Sequence, residues 1–200
     1  QGQMVIVDSF WEGKTAALSI PDTGMAVVND ISELDDIHPK NKQDVGLRLA
    51  LLALRDTYGW TEQVAEGPTY RSMAVEGNAI RVRFDNVGSG LESRDGQPLN
   101  WFEIGSGETG FVAAEATIDG DTVVVSADGV RSPTAVRFAW HKLAEPNLRN
   151  AEGLPARPFR AGELANVDFL GPVSYTHLRA HETVLDLVCR LLLEKKTIHN

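Results

Sequence analysis

The sequence predicts an α/β fragment followed by an antiparallel β-sandwich-like domain. Three observations carry this. A short apolar run, Gly24-Met25-Ala26-Val27-Val28, leads through a polar loop into a stretch with helical period, as in a strand–loop–helix unit. After about Gly67 the period changes to short β-rich runs separated by turn signals, with no helical pattern between them. The hydrophobic share of 42% over 200 residues is that of a chain with a globular core.

In chain order, Met4-Val5-Ile6-Val7 predicts a strand, and Gly13 to Leu18 a short helix. Pro21-Asp22-Thr23-Gly24 is a turn signal. Met25 to Val28 is short and continuously apolar, as expected of a buried parallel strand. Val45, Leu49, Leu52 and Ala53 then fall at i, i+4, i+7 and i+8, one face of an amphipathic helix running from about Lys40 to Tyr58. Pro39 suits its first turn and Gly59 its end. The boundary falls near 60–68, giving units over 1–62 and 63–171. Strands are expected at 72–75, 79–84, 101–104, 112–116, 122–125 and 135–140. Glu76-Gly77-Asn78, Asp95-Gly96-Gln97-Pro98, Asp119-Gly120-Asp121 and Asp128-Gly129 supply turns between them. Residues 141–171 hold three of the nine prolines and read as an irregular arm.

Charge and composition exclude several classes. The net charge of −9, with no basic patch, argues against nucleic acid and against an anionic membrane surface. No apolar run reaches the ~18 residues needed to span a bilayer. Cys189 is the single cysteine, so an internal disulfide is ruled out. No metal-ligand cluster and no glycine-rich phosphate loop stands out, so neither metal nor cofactor is expected. Gln1-Gly2-Gln3-Met4 has no signal-peptide pattern and reads as the interior of a longer sequence.

The chemistry concentrates in Asp35-Asp36-Ile37-His38-Pro39, between the expected strand and helix. In an open α/β sheet, sites form beyond the carboxyl ends of strands. A carboxylate near an imidazole can fix its tautomer and stabilise it once protonated, which makes His38 a candidate general base. Asp35 lies three residues before it and Asp36 two. The spacing of Asp36 suits a cap on the following helix, and a helix cap beside a surface histidine is the plain alternative for the pair. Further candidates are His141 beside Trp140, which could meet a sugar, and Arg137 and Arg83, which could grip a carboxylate or pair with acids on their own sheet. Asn147, Arg149 and Asn150 lie in the arm without a legible role.

The run from Asp35 to Gln43, continued by Val45-Gly46 and Arg48-Leu49-Ala50 and preceded by Pro21-Asp22-Thr23-Gly24-Met25-Ala26-Val27, resembles the last catalytic block of the sialate O-acetylesterase family, which are SGNH-type serine esterases. The resemblance continues through Gly67-Pro68-Thr69-Tyr70, Gly90-Leu91, Trp101-Phe102-Glu103-Ile104, Ala135 to Trp140 and Gly153 to Arg160. It implies the C-terminal part of an SGNH-hydrolase sheet over residues 1–62 and release of acetate from an O-acetylated sugar or glycan. Sialic acid is the implied sugar, with acetylated xylan as the alternative among related esterases. It also implies His38 as the base, Asp35 as its acidic partner, and a secreted or periplasmic setting. The family's Gly-Gln-Ser-Asn-Met-type nucleophile block has no counterpart here. Ser9 lacks the preceding glycine, while Ser89 and Ser106 sit in turn-like Gly-Ser-Gly segments. The expectation is an esterase piece without its serine, inactive alone. A carbohydrate-binding β module without catalysis is the competing reading.

From Val173 the text changes character. Residues Val173 to Thr183, and again Leu187 to Glu194, resemble the translation of a transposase-type sequencing adapter. The expectation is that 173–200 is adapter read-through from shotgun assembly, to be set aside in fold reasoning. That removes His177, His181, His199 and Cys189 from any site, including the metal-like spacing of His177 and His181.

Overall fold

The structure, a computed structural model, describes residues 2–33, 36, 38 and 40–164, with backbone alone for 2–9. Among these residues two helices come first, α1 (Gly2–Ala17) and α2 (Lys42–Asp56). Ten strands follow: β1 (Thr69–Glu76), β2 (Ala79–Asp85), β3 (Leu91–Ser93), β4 (Phe102–Ser106), β5 (Gly110–Ala113), β6 (Glu115–Asp119), β7 (Thr122–Ser126), β8 (Ala135–Phe138), β9 (Leu148–Asn150) and β10 (Phe159–Gly162).

The strands form two four-stranded antiparallel sheets, ordered β1-β2-β7-β6 and β10-β8-β4-β5, with β3 and β9 as a separate pair. Alternation builds the layer between the sheets. On β2, Ile80, Val82 and Phe84 are buried while Arg83 and Asp85 are exposed; on β7, Val123 and Val125 are buried. They meet Phe102 and Ile104 of β4 and Val136 and Phe138 of β8 in one apolar cluster. Burying each such side chain contributes about 1.5–3 kcal/mol. The expected strand at 112–116 divides at Ala114, whose N–H donates to the Phe102 carbonyl. Its first half joins one sheet as β5 and its second half the other as β6, so this segment carries the chain across the core.

The arm at 141–171 is less irregular than its prolines suggest. β10 completes the second sheet beside β8, and β9 pairs with β3. Two buried asparagines pin it. Asn147 Nδ2 donates to Ser93 Oγ, Asp95 Oδ1 and the Pro98 carbonyl, and its Oδ1 accepts from Asn100 N–H. Asn150 Nδ2 donates to the Glu66 and Asn86 carbonyls, and its Oδ1 accepts from Leu154 N–H. Each amide thereby replaces water it has lost.

The front of the chain departs further from expectation. Met4 to Val7 lies inside α1 rather than in a strand. A four-residue apolar run fits either state, and here the helix continues through it. Residues 24–28 form no strand, and every described ladder is antiparallel, so the expected parallel sheet is not seen among the described residues. A parallel strand needs a neighbour for its N–H and C=O groups, and no described strand lies along this one. α2 is present as the period predicts, burying Val45, Arg48 and Leu52. Residues 165–200, the adapter-like tail included, lie outside the described residues.

Candidate functional site

His38 is carried by the loop that enters α2. The helix start is fixed by Asn41, whose Oδ1 accepts from Asp44 N–H at 3.1 Å, while Asn41 Nδ2 donates to Asp44 Oδ2 at 2.8 Å. This reciprocal cap also sets an acid in the first turn, where the helix dipole favours it. Asp36 is therefore not the cap. Its Oδ1 accepts from His38 N–H at 2.8 Å and lies 3.3 Å from His38 Nδ1. Those contacts, the backbone N–H first, hold the Asp36 carboxyl below its ordinary range. The pair is open to water, the His38 side chain being 78% and that of Asp36 44% exposed, so it does little to rigidify the loop. Asp35 lies outside the described residues.

Behind the loop lies the strongest polar feature of the front region. Arg48 of α2 grips Asp30 with two bonds, Nη1 to Oδ1 at 2.6 Å and Nη2 to Oδ2 at 2.7 Å, and gives a further 2.6 Å bond to the Val27 carbonyl. Both side chains are under one-tenth exposed. Arg94, just beyond β3, donates to the Asp30 carbonyl. The 27–30 segment that leads to His38 is thus tied to α2 and to the β region at once. The sequence alone gives Asp30 and Arg94 no role, and Arg48 none beyond its place in the motif resemblance. An arginine on the otherwise apolar face of the α2 pattern was the available signal.

A shallow cleft of about 290 Å³, including space open to solvent, lies between residues 25–27, Arg48, 65–69 and 154–157. Its wall holds a second charged group. Glu66 accepts from Arg55 Nη1 at 3.1 Å and from Arg157 Nη2 at 3.0 Å. Burial pushes the Arg157 guanidinium below its ordinary value, against the pull of Glu66. Gly67 is required here, since a Cβ would sit 2.0 Å from the Pro155 carbonyl oxygen. His38 does not line this cleft.

The other candidates fall out as follows. Arg137 is committed to Glu103, its cross-strand neighbour on β4, through Nε at 2.7 Å and Nη2 at 2.8 Å, and lies 4.3 Å from the centre of the Phe111 ring. It is a sheet-face pair rather than a carboxylate receptor. Arg83 is exposed on β2. Trp140 is buried, and His141 stacks instead on Trp101, with ring centres 5.6 Å apart. Arg149 pairs with Glu92, and Asn147 and Asn150 are the buried pins described above. Ser89 Oγ donates to Glu152 at 2.7 Å, and Ser106 Oγ meets Thr109 Oγ1 at 3.2 Å, so neither hydroxyl bonds to a histidine. The Ser9 side chain lies outside the described atoms. Among the described residues no group of three His, Cys, Asp or Glu side chains is arranged to hold a metal, and no helix is long and apolar enough to cross a membrane.

No family model matches the sequence, and no curated protein matches it. Six solved chains do. One is the crystal structure of a carbohydrate acetylesterase from Xanthomonas citri, at 41% identity and a TM-score of 0.71. The match covers 75% of this chain and 34% of that one, so the chain spans about a third of the length of this neighbour. At that identity the likeness extends beyond fold to sequence, and it supports kinship with a carbohydrate esterase.

Proposed function

We propose that this chain carries the acid–base half of a serine carbohydrate-esterase site that removes acetyl groups from an O-acetylated sugar. The observation that supports this is the 41% identity to a carbohydrate acetylesterase over three-quarters of the chain. In this reading His38 is the general base. It accepts the proton of a serine hydroxyl as the serine oxygen attacks the acetyl carbonyl. It returns that proton to the sugar oxygen as the ester bond breaks, and water releases acetate in a second, mirrored step. The serine and the oxyanion donors belong to sequence outside these 200 residues.

Asp35 is the proposed orienting acid. Asp36 is spent first on the His38 backbone N–H, and a half-exposed carboxylate is a poor anchor for an imidazolium. O-acetylated sialic acid is the favoured substrate, on the strength of the motif resemblance, and acetylated xylan the second. A non-catalytic glycan-binding module is the alternative.

The test is the chain joined to its natural upstream sequence. It is expected to release acetate from O-acetylated sialic acid. Asp35→Asn is expected to lower kcat by about 10³- to 10⁴-fold through a misheld imidazole, and Asp36→Asn to change it little. The 200-residue chain alone is expected to be inactive. Turnover by it that disappears in His38→Ala overturns the missing-serine reading, and equal kcat in Asp35→Asn and wild type overturns the role of Asp35.

A further inference from the structure

Trp101 sits where the backbone is under strain. Its φ is 60°, a strained left-handed conformation that bulky residues rarely adopt. Ala139, across from it, also has a positive φ of 51° and donates its N–H to the Trp101 carbonyl at 2.9 Å. A glycine at 101 would avoid this strain. The chain instead places there a large indole that remains 38% exposed. Its ring lies nearly parallel to that of His141, with 17° between the planes.

The two rings are held from behind. Leu143 N–H donates to His141 Nδ1 at 3.1 Å, which leaves the proton of the neutral imidazole on Nε2. Asn100, next to Trp101, exchanges two 3.0 Å bonds with the buried Asn147. Around the rings, Asn100, Lys142 and Glu145 are exposed, with Leu143 the one exposed aliphatic neighbour in these two segments. The arrangement is a small rigid aromatic surface with a ring N–H donor and a polar surround. It is far too small for a protein interface, which takes about 800 Å² a side. It matches a pyranose, whose axial C–H face packs on an aromatic ring while its hydroxyls seek polar neighbours.

We propose that Trp101 and His141 form a glycan subsite in the β region that stacks one pyranose ring of an oligosaccharide. The choice of a sugar rests on the esterase reading above. The pre-set rings reduce the ordering cost of binding.

The experiment follows the tryptophan indole N–H signals of the full chain by NMR during titration with xylohexaose and, separately, with N-acetylneuraminic acid. The Trp101 signal is expected to shift and saturate with one of them. Trp101→Gly, which relieves the backbone strain but gives up the indole's packing, and Trp101→Phe are read through the backbone amide signals of residues 139–145. The first is expected to weaken binding about tenfold or more with the amide signals of β2 and β7 unmoved, and the second to retain most of it. Two results overturn the subsite: no Trp101 shift with either sugar up to its solubility limit, or unchanged binding by Trp101→Gly. Acetate release by the extended chain is read separately. Binding without acetate release sinks the esterase reading alone, and acetate release without binding sinks the subsite alone.

Discussion

The β region and the front of the chain are held together in different ways. Between β1 and β10 the apolar side chains meet one another across two sheets, and Ile80, Val82, Ile104, Val123, Val125, Val136 and Phe138 have no exposed surface at all. In the front, Met25, Val45 and Leu52 are buried outside that cluster, while Ile20, Leu47, Tyr58 and Trp60 are each more than half exposed. Asn29 has two buried amide atoms with no hydrogen-bond partner among the described residues. The β region is specified by many small, mutually consistent burials. The front depends on a few long-range polar ties, chiefly Arg48 to Asp30 and Arg94 to the Asp30 carbonyl. A region of the first kind loses stability as a unit when one contact is removed. A region of the second kind opens locally.

The sharpest test of the first half is Phe138→Ala. Phe138 lies 4.6 Å from Phe102 and 6.1 Å from Phe159, ring centre to ring centre, in the middle of the second sheet. Truncation leaves a cavity with rigid walls and is expected to cost about 3–5 kcal/mol. Urea unfolding should show the β-region transition at a much lower midpoint with an unchanged slope. A loss under about 1 kcal/mol would mean the core relaxes freely and the contrast between the regions is false.

The same contrast explains what was legible in the sequence. The strands at 79–84 and 122–125 are readable because alternation and Gly turns are local signals, and both agree with the packing, while the run at 135–140 is readable as a continuous apolar-rich stretch, β8 being buried along its whole length. Helix α2 was readable for the same reason: its buried Val45 and Leu52 repeat at helical spacing. The division of 112–116 between two sheets was not readable, because the switch at Ala114 is decided by which neighbour each half pairs with. The arm hides β9 and β10 because they are only three and four residues long, too short to show a period, and β9 pairs far back with β3. In the front, a short apolar run such as Met4 to Val7 fits a strand as well as the helix it joins. At the site, His38 was legible as a residue but its contact was not: the described carboxylate beside it is Asp36, tied to the backbone.

Asp30→Asn probes the second half of the comparison and is expected to have the next largest effect. It keeps the shape but removes the charge facing Arg48, whose side chain is 8% exposed. Breaking a buried pair on one side costs roughly 3–5 kcal/mol, here confined to the front region. Hydrogen exchange should show α2 amides losing protection while those of β2, β7 and β8 keep theirs. Uniform loss of protection over both regions would show that Asp30 holds the whole molecule together and that the front does not open by itself.

The smallest expected effect lies in acid, at the turn after β3. Asp95 accepts from Asn147 Nδ2 at 3.0 Å, from Gln97 N–H at 3.1 Å and from Ser93 Oγ at 2.8 Å. These donors, the Asn147 amide first, lower its carboxyl from an ordinary 3.8 to about 2. A carboxyl with a depressed folded value binds its proton more readily when unfolded. Its stabilisation is therefore complete above about 3.8 and is lost as pH falls towards about 2. The expected result is a fall in thermal midpoint across that window in the wild type, with a shallower fall in Asp95→Asn, which has no such proton to bind. The shift should stay well below that of Phe138→Ala, because Asp95 faces water and Asn147 keeps its bonds to Ser93 and Pro98. If the two acid profiles coincide, the asparagine pin is maintained by burial alone and the carboxylate adds nothing to the β region.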